Sequence, residues 1–166
     1  MWDKINKQSE ILLNQCLEKK LTVTTAESCT GGMIASSIVS ISGSSTIFKS
    51  SVVTYSNDMK SKILNIPLKL INKNGAVSKI IAYNMASNVL NLMNADISIA
   101  VTGIAGPSGG SKNKPVGLVY IGIGTKKGII TKEYLFIGNR LKIRQETTLE
   151  ALKLSNIIIE SFKKVN

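Results

Sequence analysis

The sequence predicts an α/β fold, specifically a single three-layer α/β/α domain with a mixed, mostly parallel sheet. Short β-branched segments alternate with longer segments whose apolar residues recur at helical spacing, which is typical of α/β proteins. Toward the end of the chain, two strand-like segments are separated by only a short turn, which indicates a hairpin and therefore antiparallel pairing. The 166 residues, 43% of them hydrophobic, suit one domain over residues 1–166 with a packed core.

The first half of the chain predicts helices and strands in alternation. Helical spacing of apolar residues indicates the helices, and short runs of β-branched residues indicate the strands. In order, the predicted elements are a helix over residues 3–19, a strand over 21–25, a helix over 33–41 that stops at Gly43, a strand over 51–55, and a helix through Leu64 that Asn57 caps.

The second half continues the alternation and ends with the hairpin and a long helix. Pro67 opens a short turn or helix that ends near Gly75. The predicted elements that follow are a helix over residues 78–93, a buried strand over 97–101, a loop over 103–117 that holds five of the 13 glycines, strands over 116–123 and 129–136 joined at 125–128, and a helix from the Asn139 cap to about Lys164.

The absence of histidine limits the chemistry that the chain can perform. It excludes Ser-His-Asp and Cys-His catalysis and every metal site that contains histidine. The ten carboxylates are scattered, and no pair of them falls inside a turn or glycine loop, as an acid and base might. If the chain is an enzyme, its general base is therefore a lysine or a tyrosine.

Nothing in the sequence indicates a membrane-bound or disulfide-bonded protein. No stretch of 18 uncharged apolar residues is present, and residues 1–4 open a polar helix rather than a signal peptide. The two cysteines, Cys16 and Cys29, make no disulfide framework, which fits a reducing cytoplasm. We expect a cytoplasmic protein without a membrane partner.

The net charge of +11 has two interpretations. An excess of lysine is typical of a solvated surface, whereas a positive field also attracts nucleic acid. The lysines form separated pairs without a basic run, and aromatic residues make up only 5% of the chain, so no stacking platform is evident. The sequence therefore does not favour nucleic acid as a partner, while the same field would help to attract a small anionic substrate.

Two polar segments beside predicted elements could carry chemistry. In Glu27-Ser28-Cys29-Thr30-Gly31-Gly32, the free N–H groups at the start of a helix favour an anion, and an ordinary helix cap is equally consistent with the spacing. The segment Ser42-Gly43-Ser44-Ser45-Thr46 is a hydroxyl cluster after a helix, and such clusters are usually turn and cap residues.

Lys60 is a candidate general base because of its place in a helix. If Asn57 caps that helix, Lys60 lies in the first turn, where the macrodipole is positive and disfavours a cation. Burial there would lower its pKa further toward neutrality, as a lysine base requires. Lys62 lies about 200° around the helix, so we expect it to be solvated. Tyr55, which closes the preceding strand, could orient Lys60 or relay a proton, or could be an ordinary half-buried strand aromatic.

A glycine-rich loop and two arginines complete the candidates. The loop runs from Thr102-Gly103-Ile104-Ala105-Gly106-Pro107 to Lys114-Pro115-Val116-Gly117, and it leaves the end of a buried strand, where open α/β sheets bind ligands. Arg140 and Arg144 are the only arginines, and their four-residue spacing puts them on one face of the last helix. They could bind phosphate or carboxylate, or form surface salt bridges.

Taken together, these segments resemble the CinA C-terminal domain family, whose free-standing members are nicotinamide-nucleotide amidohydrolases. The resemblance covers about residues 5–160. It is carried by these stretches: Thr24-Thr25-Ala26-Glu27-Ser28-Cys29-Thr30-Gly31-Gly32, Gly43-Ser44-Ser45, Val53-Thr54-Tyr55-Ser56-Asn57 with Lys60, Gly75-Ala76-Val77-Ser78, Val101-Thr102-Gly103-Ile104-Ala105-Gly106-Pro107 with Gly109-Gly110, Lys114-Pro115-Val116-Gly117, and Arg140 with Arg144. Ser42, Ser108 and Asn139 depart from the residues that are common in relatives.

The resemblance implies deamidation of nicotinamide mononucleotide to nicotinate mononucleotide and ammonia, for recycling into NAD, by a Ser/Lys dyad without metal or cofactor. Lys60 would be the base. The nucleophile would be Ser45 or Ser28, and Ser45 is favoured because its segment leads directly to Tyr55 and Lys60. Polar contacts to the substrate would come from the motif residues Glu27, Ser28, Thr30, Gly31, Ser44, Thr102, Gly103, Ala105 and Gly106, and Arg144 would bind the phosphate.

Two other functions are compatible with the sequence. One is a non-catalytic nucleotide-binding protein linked to competence or DNA damage, and the other is a nucleic-acid-binding module supported by charge alone. The longer CinA proteins carry an N-terminal molybdopterin-binding-like domain that is not in this chain, so the chain looks like the free-standing form. The apolar run Ile157-Ile158-Ile159 in the last helix suggests a subunit contact, so we expect a homo-oligomer, in the simplest case a dimer.

Overall fold

Five strands form one mixed sheet in the order β2-β1-β3-β4-β5. The computed structural model describes residues 1–162, and its strands are β1 (Val23–Glu27), β2 (Phe48–Val53), β3 (Ile97–Gly103), β4 (Leu118–Thr125) and β5 (Gly128–Leu135). β1 pairs in parallel with both β2 and β3, whereas β4 runs antiparallel to β3 and to β5. Four strands therefore point one way and β4 points the other.

Helices cover both faces of the sheet, which confirms the predicted three-layer α/β/α class. The helices are α1 (Trp2–Lys19), α2 (Met33–Val39), α3 (Asn57–Leu64), α4 (Leu68–Asn74), α5 (Lys79–Leu92) and α6 (Arg140–Glu160), with one turn of 3₁₀ helix at Ser44–Thr46. One apolar core joins α1, α2 and α6 to the sheet. A second core joins α3, α4 and α5 to the opposite face.

Large and small side chains alternate along β4, and this alternation separates the two cores. Ile121 and Ile123 are buried in the core under α1, α2 and α6. Gly122 faces α5, where an added Cβ would come within 2.7 Å of the Ala82 carbonyl oxygen. Glycine is therefore required at this position because the α5 backbone packs directly on the strand.

The predicted elements are present, with bounds shifted by a few residues. The turn at Lys126-Lys127 joins β4 to β5 in a two-residue hairpin, as predicted. Asn139 caps α6 as predicted, because its side chain accepts a hydrogen bond from the Lys142 N–H at 2.9 Å. The predicted cap of α3, Asn57, is wrong by one residue: Ser56 is the cap, and its Oγ accepts a hydrogen bond from the Met59 N–H at 3.2 Å. Lys164, the predicted end of the last helix, lies outside the described residues.

Candidate functional site

The carboxyl ends of β1, β2 and β3 lie side by side at one edge of the sheet. Glu27 pairs with Val53 on one side and Val101 on the other. Hydrogen bonds continue one residue beyond the strands, from the Ser28 N–H to the Val101 oxygen at 3.1 Å and from the Thr54 N–H to the Glu27 oxygen at 2.9 Å. The residues that follow the three strands are thus neighbours, as the ligand-binding edge of an open α/β sheet requires.

Lys60 reaches back from α3 into this edge. Its Nζ lies 3.0 Å from the Ser28 Oγ and 2.8 Å from the Thr54 carbonyl oxygen. The side chain is 1% exposed, although lysine is seldom buried this deeply without a carboxylate partner. The first turn of α3 and the end of β2 therefore hold an amine against a serine hydroxyl.

Burial lowers the pKa of Lys60 from its ordinary value of 10.5 to about 8. The cause is the loss of hydration, which disfavours the charged ammonium more than the neutral amine. At pH 7 about a tenth of the amine is therefore neutral. A neutral Nζ can donate to the Thr54 oxygen and accept the proton of the Ser28 hydroxyl, as a general base must.

The structure brings Ser28, and not Ser45, to Lys60. Ser28 follows β1 at the carboxyl edge, whereas Ser44 and Ser45 lie in the 3₁₀ turn before β2, at the amino edge. The six residues of β2 span roughly 20 Å between the two positions. The preference for Ser45 is corrected here: the segment does lead to Tyr55 and Lys60, but the intervening strand carries the chain across the sheet.

Glu27 is predicted to contact substrate, but its carboxylate is used within the fold. It is fully buried and accepts hydrogen bonds from the N–H groups of Gly32 at 3.0 Å, Ile34 at 3.1 Å and Ala35 at 2.8 Å. These are donors at the start of α2 that lack partners within the helix. Glu27 therefore fixes the turn that follows it, in which Ser28 is the first residue.

The next two residues of that turn, Cys29 and Thr30, are also buried. Burial raises the pKa of the Cys29 thiol to about 12, so this side chain beside Ser28 stays protonated and does not compete as a nucleophile. Thr30 is buried and its Oγ1 has no hydrogen-bond partner in the part of the chain that is described. Gly31 has φ +60°, a conformation that glycine adopts readily, and a Cβ added there would lie 3.6 Å from the Arg144 Nη2.

Tyr55 pairs with Arg140 rather than with Lys60. The Arg140 Nη2 donates to the Tyr55 hydroxyl oxygen at 2.7 Å, and its Nη1 donates to the Gly106 carbonyl oxygen at 2.8 Å. Because its hydroxyl contacts Arg140, Tyr55 does not orient Lys60 as predicted. Its side chain is 58% exposed, so it is not a half-buried strand residue either. One guanidinium thus joins the end of β2 to the glycine loop.

Arg144 contacts the turn that follows β1 and does not line the cleft. Its Nη2 donates to the Thr30 carbonyl oxygen at 2.6 Å. Of the two arginines on this face of α6, Arg140 lines the cleft and Arg144 does not, so the geometry does not support the phosphate contact predicted for Arg144. The alternative of a surface salt bridge to Glu146 or Glu150 does not apply either: within residues 1–162 no ion pair joins an arginine to these two residues, and Glu150 pairs with Lys153 at 2.7 Å.

These groups surround a cleft of about 340 Å³. Of the predicted site residues, those that line it are Ser28, Tyr55, Lys60, Thr102, Gly103, Ala105 and Gly106. Those that do not are Glu27, Thr30, Gly31, Ser44, Ser45 and Arg144. Within residues 1–162, no aspartate or glutamate lines this cleft, while Lys60 and Arg140 do, so its walls favour an anionic ligand.

Other residues also line the cleft, and the family resemblance gave none of them a contact with the substrate, although Arg140 is a candidate from its place in α6. They are Cys29, Asn57, Ala76, Val77, Ile104, Ser108, Gly109 and Arg140. The Thr102 hydroxyl donates to the Ala76 carbonyl oxygen at 2.9 Å, which places the α4–α5 connection against β3. The rule that residues after parallel strands meet at one edge could have selected Ser28 over Ser45, but no sequence signal brings Ala76 to Thr102.

A larger cleft lies at the opposite edge of the sheet. It measures about 470 Å³ and is formed by α5 and the β4–β5 turn, with Tyr83, Asn91 and Lys126 among its lining residues. It holds no pair of a hydroxyl and a buried amine comparable to Ser28 and Lys60. The chemistry of the lining, and not the volume, therefore identifies the candidate site.

Neither a metal cluster nor a membrane-crossing helix is found among residues 1–162. No three side chains of His, Cys, Asp or Glu come together there in a way that could hold a metal ion. None of the helices described is long and apolar enough to cross a membrane.

The family model of the CinA C-terminal domain matches residues 5–158. A CinA-like protein of Prochlorococcus marinus subsp. pastoris is 45% identical over 159 residues, which are 94% of this chain and 37% of that protein. A CinA-like protein of Endomicrobium trichonymphae is 53% identical over 138 residues, 83% of this chain and 32% of that protein. The chain thus spans about a third of the length of these relatives.

Solved structures share the fold over almost the whole chain. The crystal structure of the competence/damage inducible protein CihA from Agrobacterium tumefaciens has a TM-score of 0.92 at 37% identity, covering 95% of this chain and 96% of that one. A CinA superfamily protein from Klebsiella pneumoniae has a TM-score of 0.92 at 26% identity, covering 95% and 99%. The mixed five-stranded sheet and its helical layers are therefore those of a known superfamily.

Proposed function

The chain belongs to the CinA C-terminal domain family, and from this premise we propose that it is an amidohydrolase that deamidates nicotinamide mononucleotide. The products are nicotinate mononucleotide and ammonia, and the reaction returns the pyridine ring to the synthesis of NAD. The substrate offers two features that suit the cleft, a neutral carboxamide for the hydroxyl and amine, and an anionic phosphate for the guanidinium.

One observation carries the proposal: the contact of 3.0 Å between the Lys60 Nζ and the Ser28 Oγ. A buried lysine without a carboxylate neighbour has no evident purpose in stability, because burying the ammonium is unfavourable. A lowered pKa beside a hydroxyl in a cleft is the arrangement expected for an activated serine nucleophile. This supports Ser28 as the nucleophile and Lys60 as the base.

The reaction then proceeds in two stages. Neutral Lys60 takes the hydroxyl proton while the Ser28 oxygen attacks the amide carbon, and the protonated amine then gives that proton to the departing nitrogen, which leaves as ammonia. Water attacks the resulting ester, Lys60 takes its proton and returns it to the Ser28 oxygen, and the acid is released. Cys29 follows the nucleophile and lines the cleft, and its N–H donates to no other residue within residues 1–162, so we assign this N–H to the developing oxyanion.

Arg140 is the proposed phosphate ligand. Its guanidinium lines the cleft and is held by Gly106 and Tyr55, both of which also line it. The Tyr55 hydroxyl is an exposed partner that a phosphate oxygen can replace at little cost, because water can hydrogen-bond the displaced phenol. This assignment replaces Arg144 with the other arginine of the same helix face.

The test is an assay of ammonia release from nicotinamide mononucleotide, its riboside and free nicotinamide. We expect kcat/KM to be highest for the phosphorylated compound, and the rate to rise with pH through about 8 because neutral Lys60 is the active form. Release of no ammonia from any of the three by the folded protein would reject the proposal. Tight binding of the mononucleotide without release would favour a non-catalytic nucleotide-binding protein instead.

A further inference from the structure

Lys114 joins the two loops that wall the candidate cleft. Its Nζ donates to the Asn74 carbonyl oxygen at 2.8 Å and to the Val77 carbonyl oxygen at 2.7 Å. Asn74 is the last residue of α4, where carbonyl groups lack helical partners and the macrodipole favours a cation. Lys114 therefore binds the end of α4 and the connection that follows it.

The two segments that Lys114 joins lie on different walls of the cleft. Ala76 and Val77, from the α4–α5 connection, line one wall, and Gly103 to Gly106, from the glycine loop, line another. At the start of the loop, Thr102 already bonds the Ala76 oxygen. Lys114 adds two bonds near the end of the loop, so the last carbonyl group of α4 and two carbonyl groups of the connection are held from both ends of the loop.

The ammonium of Lys114 lies close to the backbone at Gly75. A Cβ built on Gly75 would lie 2.5 Å from the Lys114 Nζ, and Gly75 has φ +76°, so glycine is needed there. The Lys114 backbone is fixed in turn, because the Ser111 N–H donates to the Lys114 oxygen at 2.8 Å. The ammonium of Lys114 thus lies between the glycine loop and the α4–α5 connection, and Lys114 is only partly exposed.

From this arrangement we propose that Lys114 is a positioning residue that sets the separation of the glycine loop and the α4–α5 connection, and so the width of the substrate cleft. It touches neither substrate nor Lys60 in the proposed reaction. The expected effect on KM rests on the proposed function. The expected effect on the order of the two segments does not.

The experiment compares Lys114→Met with Lys112→Met. Lys112 is an exposed lysine of the same loop that does not line the cleft, so both variants lose one charge but only one loses the two bonds to the connection. We expect Lys114→Met to raise KM for nicotinamide mononucleotide roughly tenfold with kcat within about twofold, because binding is lost and the reacting groups are not. Lys112→Met should match the wild type.

A second measurement does not depend on turnover. Amide hydrogen exchange without substrate should be faster, by roughly tenfold, in residues 74–78 and 104–117 of Lys114→Met, and unchanged in Lys112→Met. Lys114→Arg, which keeps the charge and the donors, should restore both KM and protection, and it also serves if the methionine variant does not fold. Equal exchange in the two methionine variants would refute the proposal, as would a fall in kcat at unchanged KM. If the wild type releases no ammonia, the proposed function fails and the exchange result alone decides the role of Lys114.

Discussion

At the scale of single residues, the site depends on a lysine that the fold keeps out of water. Lys60 has a backbone oxygen and a serine hydroxyl as partners, and neither carries a charge that would stabilise the ammonium. Burial lowers its pKa, and no charged partner offsets the loss of hydration. Lys62 is exposed and pairs with Asp58 at 3.4 Å, as expected for the solvated face of α3.

The two candidate serines can be separated by a pair of variants. Ser28→Ala should lower kcat for ammonia release by roughly a thousandfold or more, because the attacking oxygen is removed. Ser45→Ala should leave kcat within about twofold, because Ser45 lies at the other edge of the sheet. Thermal unfolding of both variants checks that the fold is intact. A large loss in Ser45→Ala with activity kept in Ser28→Ala would reverse the assignment.

The two arginines form a second matched pair. Arg140→Met should raise KM for nicotinamide mononucleotide by roughly tenfold or more but leave KM for the riboside nearly unchanged, because only the mononucleotide carries the phosphate. Arg144→Met should not show this difference between the two compounds, since its guanidinium holds the Thr30 oxygen behind the turn. Steady-state kinetics of both variants on both compounds measure these KM values. A rise in KM for the mononucleotide alone in Arg144→Met, and not in Arg140→Met, would assign the phosphate to Arg144.

At the scale of elements, the turn between β1 and α2 is held by a buried carboxylate. Glu27 accepts from three N–H groups at the start of a helix of seven residues, which is too short to be stable without such contacts. The turn that presents Ser28 is therefore a property of the β1–α2 unit as a whole, and Arg144 of α6 supports it from behind.

Replacement of Glu27 by glutamine should test this role. In Glu27→Gln the amide nitrogen faces backbone donors and the negative charge at the start of α2 is lost, so the free energy of unfolding should fall by about 2–3 kcal/mol. Asp58→Asn is the control, because its ion pair with Lys62 and its interaction with the start of α3 are both exposed to solvent and together should change stability by no more than about 1 kcal/mol. Urea denaturation measures both, and equal losses would argue against a specific role for Glu27.

At the scale of the whole molecule, the site is built by the sheet topology. Parallel β2, β1 and β3 end at one edge, and α3, the glycine loop and α6 close over that edge from different sides. The proposed activity is obtained at the expense of stability, because a lysine in this position opposes folding at neutral pH. A substitution that removes the amine of Lys60 should therefore raise stability at neutral pH and abolish the proposed activity.

The pH dependence of stability should reveal this opposition. The unfolded lysine keeps its proton up to 10.5 while the folded one loses it near 8, so the unfolded state binds more protons between these values and the wild type gains stability as pH rises. The gain corresponds to about 3 kcal/mol over the full interval. Lys60→Met should lack it and should also lose several orders of magnitude in kcat. Denaturation at pH 7 and pH 10 provides the comparison, and parallel changes in the two proteins would contradict it.

We also propose that the chain forms a homodimer. Of the apolar run in α6 that suggests a contact, Ile157 is 63% exposed while Ile159 is buried in the core. Sedimentation equilibrium of the wild type and of Ile157→Lys should show a dimer that the substitution weakens at least tenfold, because a charge would be buried in an apolar contact. A monomeric wild type would contradict the expectation.

The sequence by itself determined the α/β class, the order of the elements and the exclusion of histidine chemistry, because helical spacing, β-branched runs and composition are local properties of the chain. It also singled out Lys60. The choice between Ser28 and Ser45 was decided only by tertiary structure: Ser28 is 32 residues from Lys60 in sequence and yet 3.0 Å from it, because parallel strands bring distant segments together at their carboxyl ends. The partners of Arg140, Arg144 and Lys114 were decided in the same way, since each is a long-range contact that no local pattern encodes.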